Sequence, residues 1–186
     1  MVSPVRRHVL SRALGLSTLP ARRFVSLKTY ALVGESRGAA ACSVRTDTGH
    51  TIDTDLPRKL GGRDEAAQPV ELLLAALLGC KTATAHYVAR HLWQRPNNRI
   101  DGIEWVDVVA IRDDDGATSL PITQAPNVSA RLMKVSGVGY VRPRGPTIMY
   151  EDVKMLGELV EQRCPVAVTL AASGCEVDFE WRLAPR

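Results

Sequence analysis

Apolar and polar residues alternate in LKTYALV (27–33), AACSVRT (40–46) and HTIDTDL (50–56). This period of two predicts a meander of about three short strands, with Asp47-Thr48-Gly49 as a turn. The pattern changes after LGGRDEAAQ, a glycine-bearing loop. In PVELLLAALLGC almost every residue is apolar, and Pro69 suits the first position of a helix. The helix is expected to run from Pro69 to about Trp93, roughly 37 Å long. Its first half is apolar on nearly every side and is expected to be buried all round. Its second half, with Tyr87, Arg90, His91 and Trp93, is amphipathic.

Period two returns in IEWVDVVAIR (103–112) and VSARLMKVSGV (128–138), separated by the polar loop 113–127. Asp113 to Asp115 resemble a calcium loop only superficially, because the later ligand positions are missing. RPRGP (142–146) reads as a turn. In IMYEDVKMLGELVEQRC, Val153, Leu156 and Val160 form a helical stripe that Cys164 continues toward the core. Pro165 ends that helix and can open another through about Ala172. CEVDFEWRL closes the chain as an alternating strand. Strands, long helix, strands, helix, strand: this order indicates an α+β fold in which an antiparallel sheet packs on a long buried central helix.

At 186 residues the chain suits one domain with a substantial core. Its net charge of +4 is unevenly spread. Arg6, Arg7, Arg12, Arg22, Arg23 and Lys28 all precede the first acidic residue, Glu35. Removing those six from the 24 basic residues leaves 18 against 20 acidic ones, so no general nucleic-acid surface is indicated. Residues 1–24 are arginine-bearing, acid-free and weakly amphipathic, the composition of a mitochondrial transit peptide. Arg22-Arg23-Phe24 resembles matrix-processing sites. The expectation is import to the matrix, with residues 25–186 as the mature domain. Residues 69–80 are too few to span a bilayer, so no membrane partner is expected.

Four cysteines, Cys42, Cys80, Cys164 and Cys175, form no CxxC pair and have no histidine at zinc-like spacing. In an imported intracellular protein, a disulfide among them would be transient and catalytic rather than structural. Cys80 sits among Ala76, Gly79 and Ala83, whose small side chains let a substrate or another backbone come close; alternatively it is a small buried hydrophobe. If Pro165 opens a helix, Cys164 is its N-cap, where free amides favour a thiolate; alternatively it simply joins two helices. Cys42 and Cys175 lie in expected strands and read as packing residues.

The residues Asp55, Pro57, Gly61, Gly62, Pro69, Glu71, Cys80 and the later Cys164-Pro165 resemble the motif series of the OsmC/Ohr family, the osmotically inducible and organic hydroperoxide resistance proteins. The likeness covers about residues 28–183. It implies an OsmC-like fold in an intertwined homodimer, with active sites at the subunit interface. It also implies thiol peroxidase activity on small organic hydroperoxides: Cys80 attacks and becomes sulfenic acid, Cys164 resolves it as a disulfide, and a thiol or dithiol reductant restores the pair. No metal, flavin or other cofactor is implied. The family's hydroperoxide-reducing branch pairs an arginine from the N-terminal strands with a glutamate before the cysteine. The arginine corresponds here to Arg37, with Arg45 as the alternative. That branch carries the glutamate directly after the proline, where this chain has Val70; Glu71 follows one position later, as in the broader OsmC-like branch.

Nine residues turn the helix by about 180°, so Glu71 cannot stack beside Cys80. Glu71 either anchors an arginine from another element or subunit, or caps the helix from its third position. His86 and Lys81 point away from Cys80 on the same reasoning. The competing function is a module of the same fold that binds a small ligand or senses redox state without turnover.

Overall fold

The computed structural model describes residues 26–93, 99–144 and 148–185. The expected transit peptide, residues 1–24, lies outside them.

The first sheet is an antiparallel meander of β1 (Leu32–Ser36), β2 (Cys42–Thr46) and β3 (Thr51–Thr54). Leu32 pairs with Thr46, where β2 gives way to its turn, so β1 starts later than its alternating pattern does. Gly49, at φ +89°, takes the left-handed position of that turn, and the Thr46 hydroxyl accepts the His50 N–H at 3.0 Å. This sheet makes no substantial contact with the helices or with the second sheet.

A loop built on Asp55 leads to α1 (Pro69–Leu92). The second sheet follows the order β4 (Arg99–Arg112), β5 (Leu132–Arg144), β6 (Glu176–Leu183). β4 and β5 are antiparallel, with register shifts that include one between Ile100 and Gly102. β5 runs on through Arg142-Pro143-Arg144, which the sequence suggested as a turn; Pro143 is tolerated because it pairs at Ile100, beside that irregularity. The loop after β4 contains one short helix, α2 (Asp115–Thr118).

The expectation of a purely antiparallel sheet does not hold. β6 pairs parallel to β5, with Val135 opposite Val177 and Val141 opposite Leu183. The connection is α3 (Tyr150–Arg163) followed by α4 (Pro165–Ala172), and a helical crossover returns the chain in its original direction.

α1 packs on β4, α3 and α4, and its inward stripe is Leu77, Lys81, Ala85, Val88 and Ala89. Opposite that stripe the core is completed by Val135, Val141, Val153, Leu156 and Val160. The first half of α1 is not buried all round in the single chain: Val70 is 40% and Leu73 39% exposed, and Ala75, Ala76 and Gly79 are open as well. By length and composition alone α1 passes as a membrane span. Its inward face, however, packs on α3, α4 and the sheet, as the central helix of a folded domain does.

Candidate active site

The start of α1 is capped by the Glu71 carboxylate. The Gln68 backbone N–H donates to Glu71 Oε2 at 2.9 Å, and the Gln68 side-chain amide donates to Oε1 at 3.2 Å, with Pro69 as the first helical residue. Glu71 therefore spends its carboxylate on capping. Nine residues beyond Glu71, Cys80 stands at the edge of the buried stripe, between inward Lys81 and outward Gly79, and is partly exposed.

Cys164 closes one helix and opens the next. Its N–H donates to the Val160 carbonyl at 2.8 Å, its own carbonyl accepts from Val168 at 3.0 Å, and Pro165 takes the first position of α4. Its exposure is 0%. Although 84 positions separate the two cysteines in the chain, the structure brings them close enough for Cys80 to perturb the Cys164 thiol. Burial pushes the Cys164 thiol above its ordinary pKa, and the neighbouring Cys80 adds to that. The N–H groups of Val166 and Ala167 pull the other way without winning, and no cap hydrogen bond to the sulfur is closed. The N-cap placement expected from Cys-Pro is thus present, but desolvation outweighs the helix end, and the favoured form is the thiol.

Beside Pro165 an open apolar depression of about 250 Å³ is lined by Leu73, Pro165, Val166, Thr169 and Leu170. Leu73 is two helical turns before Cys80, on the same side of α1.

Arg37 is elsewhere. It follows β1, lies 3.8 Å from Asp53, and lines a separate cavity of about 230 Å³ with Cys42, Asp55 and Arg63. Within one chain it is not brought to Cys80 and Cys164. Arg45 lies in β2 of the same sheet. His86 and His91 are on α1 beyond the pair, His91 stacked near Tyr87 at 4.6 Å. Cys175 is a core residue whose thiol burial also pushes up in pKa.

Among the described residues two charged side chains are buried, Asp55 and Lys81. Asp55, only 1% exposed, accepts the N–H groups of Leu56 at 2.8 Å, Arg63 at 3.0 Å and Glu65 at 3.2 Å. Burial works to raise its pKa, but those amides and the Arg63 charge outweigh it and hold the carboxyl below its usual value. The glycine pair follows from this fold: Gly61 sits at φ +86°, and a Cβ on Gly62 would lie 1.8 Å from the Leu56 carbonyl oxygen. The second group escaped the sequence reading. Lys81 is fully buried, its ammonium held by both carboxylate oxygens of Glu161 and 4.3 Å from the Phe179 ring centroid. The available signal was a lysine four residues after Leu77 and four before Ala85, on an otherwise apolar stripe. Among the described residues no cluster of side chains could hold a metal ion.

The family model described as OsmC-like protein matches residues 62–180. No curated protein matches the chain. Solved structures resemble it in fold. An OsmC-like protein from Mycoplasma pneumoniae has 18% identity and a TM-score of 0.65, covering 85% of this chain and 99% of its own. An organic hydroperoxide resistance protein OsmC from Legionella pneumophila has 16% identity and a TM-score of 0.58, covering 84% and 99%. An organic hydroperoxide resistance protein from Elizabethkingia anophelis, with thiocyanate bound, has 18% identity and a TM-score of 0.54, covering 86% and 100%.

Proposed function

This chain belongs to the OsmC-like protein family, and from that premise we propose that it is a thiol peroxidase reducing small organic hydroperoxides through Cys80 and Cys164. The observation that carries the reading is the unequal depth of two neighbouring thiols: Cys80 is partly exposed and Cys164 is fully buried. A substrate reaches Cys80 first, and the sulfur that resolves the product waits where solvent and peroxide do not reach.

In the first step the Cys80 thiolate attacks a peroxide oxygen. The S–O bond forms as the O–O bond breaks, the sulfur loses two electrons, and the alkoxide takes a proton and leaves as alcohol. In the second, the Cys164 sulfur attacks the Cys80 sulfur. The S–S bond forms, the S–O bond breaks, and hydroxide leaves with the Cys164 proton as water. A thiol or dithiol reductant then returns the pair by exchange. The apolar depression at Leu73, Pro165 and Leu170 suits an alkyl group beside the pair.

The working unit in this reading is a homodimer. Its support is the exposed apolar side of α1 around Val70 and Leu73, and a first sheet that stands off its own helices and is free to bring Arg37 to the thiol pair of a second copy. The acid-free, arginine-bearing leader supports action in the mitochondrial matrix.

The test is a thiol count before and after one equivalent of an organic hydroperoxide, followed by peptide mapping. The expected result is loss of two thiols and a Cys80–Cys164 cross-link, absent in Cys80→Ser. The second reading, ligand binding without turnover, draws on Glu71, whose carboxylate serves the helix cap rather than the thiols. Unchanged thiols in a folded protein decide for it.

A further inference from the structure

Lys81 and Glu161 straddle the two cysteines: Lys81 directly follows Cys80 on α1, and Glu161 precedes Cys164 by three residues in the last turn of α3. We infer that this ion pair is a positioning device for disulfide closure, holding α1 and the end of α3 in the one mutual rotation that sets Cys80 against Cys164. The inference rests on the peroxidase reading for its biological use, but not for its geometry.

Lys81 occupies a core position where an apolar residue would pack without cost. Its side chain is 0% exposed, against 30% for Glu161. A buried ion pair contributes little net stability over apolar packing; what it can supply is a unique arrangement, because a slipped register strands a charge. Here the arrangement is defined from three sides. Glu161 receives the Lys81 ammonium on both oxygens, and Trp181 Nε1 from β6 donates to Oε1 at 3.2 Å. The Trp181 side chain packs on Gly157, one turn before Glu161, where an added Cβ would stand 2.5 Å from the ring. Phe179, also from β6, presents its face to the ammonium, and Trp105 packs edge-on against both Phe179 and Trp181. Among the described residues no buried side-chain polar atom lacks a partner, so the network is complete as it stands.

The consequence is specific. A turn of α1 about its axis that moved Cys80 would drag Lys81 off Glu161, and a shift of the α3 end that moved Cys164 would do the same from the other side. Two thiols that must meet without large backbone movement need this rigidity, since a disulfide tolerates Cα separations only up to about 7 Å.

The test compares wild type with the double variant Lys81→Met/Glu161→Leu, which replaces the pair by apolar groups and leaves no buried charge, and with Leu77→Ala, which weakens the same core without touching the pair. For each reduced protein, the equilibrium of the Cys80–Cys164 disulfide against glutathione is measured by thiol trapping, alongside circular dichroism and the melting temperature. The expected result is a folded double variant whose disulfide equilibrium constant is at least tenfold lower than wild type, while Leu77→Ala stays within twofold despite a lower melting temperature. A folded double variant with a wild-type constant overturns the inference. An equal loss in Leu77→Ala also overturns it, since general loosening is then the cause. Should the double variant fail to fold, Lys81→Arg, which keeps the charge on a different head group, is measured in its place, and closure weakened at least threefold in a folded protein supports the pair as a positioning device; unchanged closure counts against it. Because glutathione drives the disulfide, the measurement decides the inference even in a protein that ignores hydroperoxides. Failure of wild type to form the bond with glutathione removes it.

Discussion

Cys164 and Cys80 are close enough for the one thiol to perturb the other, and Cys164 is fully buried where Cys80 is partly open. Depth, rather than residue type, distinguishes the two identical side chains, and the proposed peroxidase cycle assigns them different parts on that ground. With Cys164 replaced by Ser, the sulfenic acid formed at Cys80 has no resolving partner. One equivalent of organic hydroperoxide is then expected to leave a single oxygen on Cys80, trapped by a sulfenic-acid reagent, and excess peroxide to drive it to the irreversible sulfinic acid. Intact-mass spectrometry reads both.

The same burial predicts a pH dependence. Cys164 has its folded pKa raised above the ordinary 9.0. The neutral thiol is the form the core favours, so its contribution to stability is full below the unfolded pKa and is lost as pH rises from there through the folded value. Wild type is expected to lose stability relative to Cys164→Ala as pH climbs past about 9. The difference in melting temperature between the two proteins, followed across that range, cancels the lysines and tyrosines that titrate alongside.

Asp55 works at the acid end. Its folded pKa is lowered, so the stability it contributes is present above the unfolded value of 3.8 and is lost as pH falls through the folded one. Acidification is expected to free the 55–68 loop before the helical core melts. Asp55→Asn should give the loop the same protease sensitivity at neutral pH, with cleavage between Leu56 and Gln68 located by mass spectrometry.

Gly62→Ala should be among the most damaging single substitutions in the chain. An added methyl would meet the Leu56 carbonyl at 1.8 Å, backbone against which no side chain can give way. A loss of more than about 3 kcal/mol in chemical denaturation is expected. Gly79→Ala is the control: an added Cβ there meets no other atom within 4 Å of the single chain. It should gain about 0.5–1 kcal/mol from helix propensity in a monomer. A loss instead means that a second chain occupies that space.

Leu73→Asp addresses the dimer directly. At 39% exposure the change is expected to cost no more than about 0.5 kcal/mol in a lone chain. A dimer using this face should dissociate, which sedimentation velocity resolves. An unchanged sedimentation coefficient removes α1 from the interface.

Much of this arrangement was legible in the order of residues. Pro69 and the apolar run after it mark a helix because proline has no amide to lose there and the period-two pattern stops. Pro165 marks a second helix for the same reason, and Cys164 falls at its N-cap as a consequence. Glu71 at the third helical position was open between capping and anchoring an arginine, and the structure decides for the cap. The parallel return of β6 was not legible, since alternation in CEVDFEWRL is the same whichever way a neighbour runs. Nor was the depth of Lys81, which the apolar stripe contradicts until Glu161 is placed opposite it.

By itself, the sequence determined most of the elements, the helix starts at Pro69 and Pro165 and the positions of the thiols, because prolines and hydrophobic period act over a few residues. Only the tertiary structure decided which thiol is buried and which is partly open, that Cys164 remains protonated despite its helix end, and that Arg37 stands away from both. Those outcomes turn on desolvation and on contacts between residues tens of positions apart, and neither quantity exists until the chain has packed.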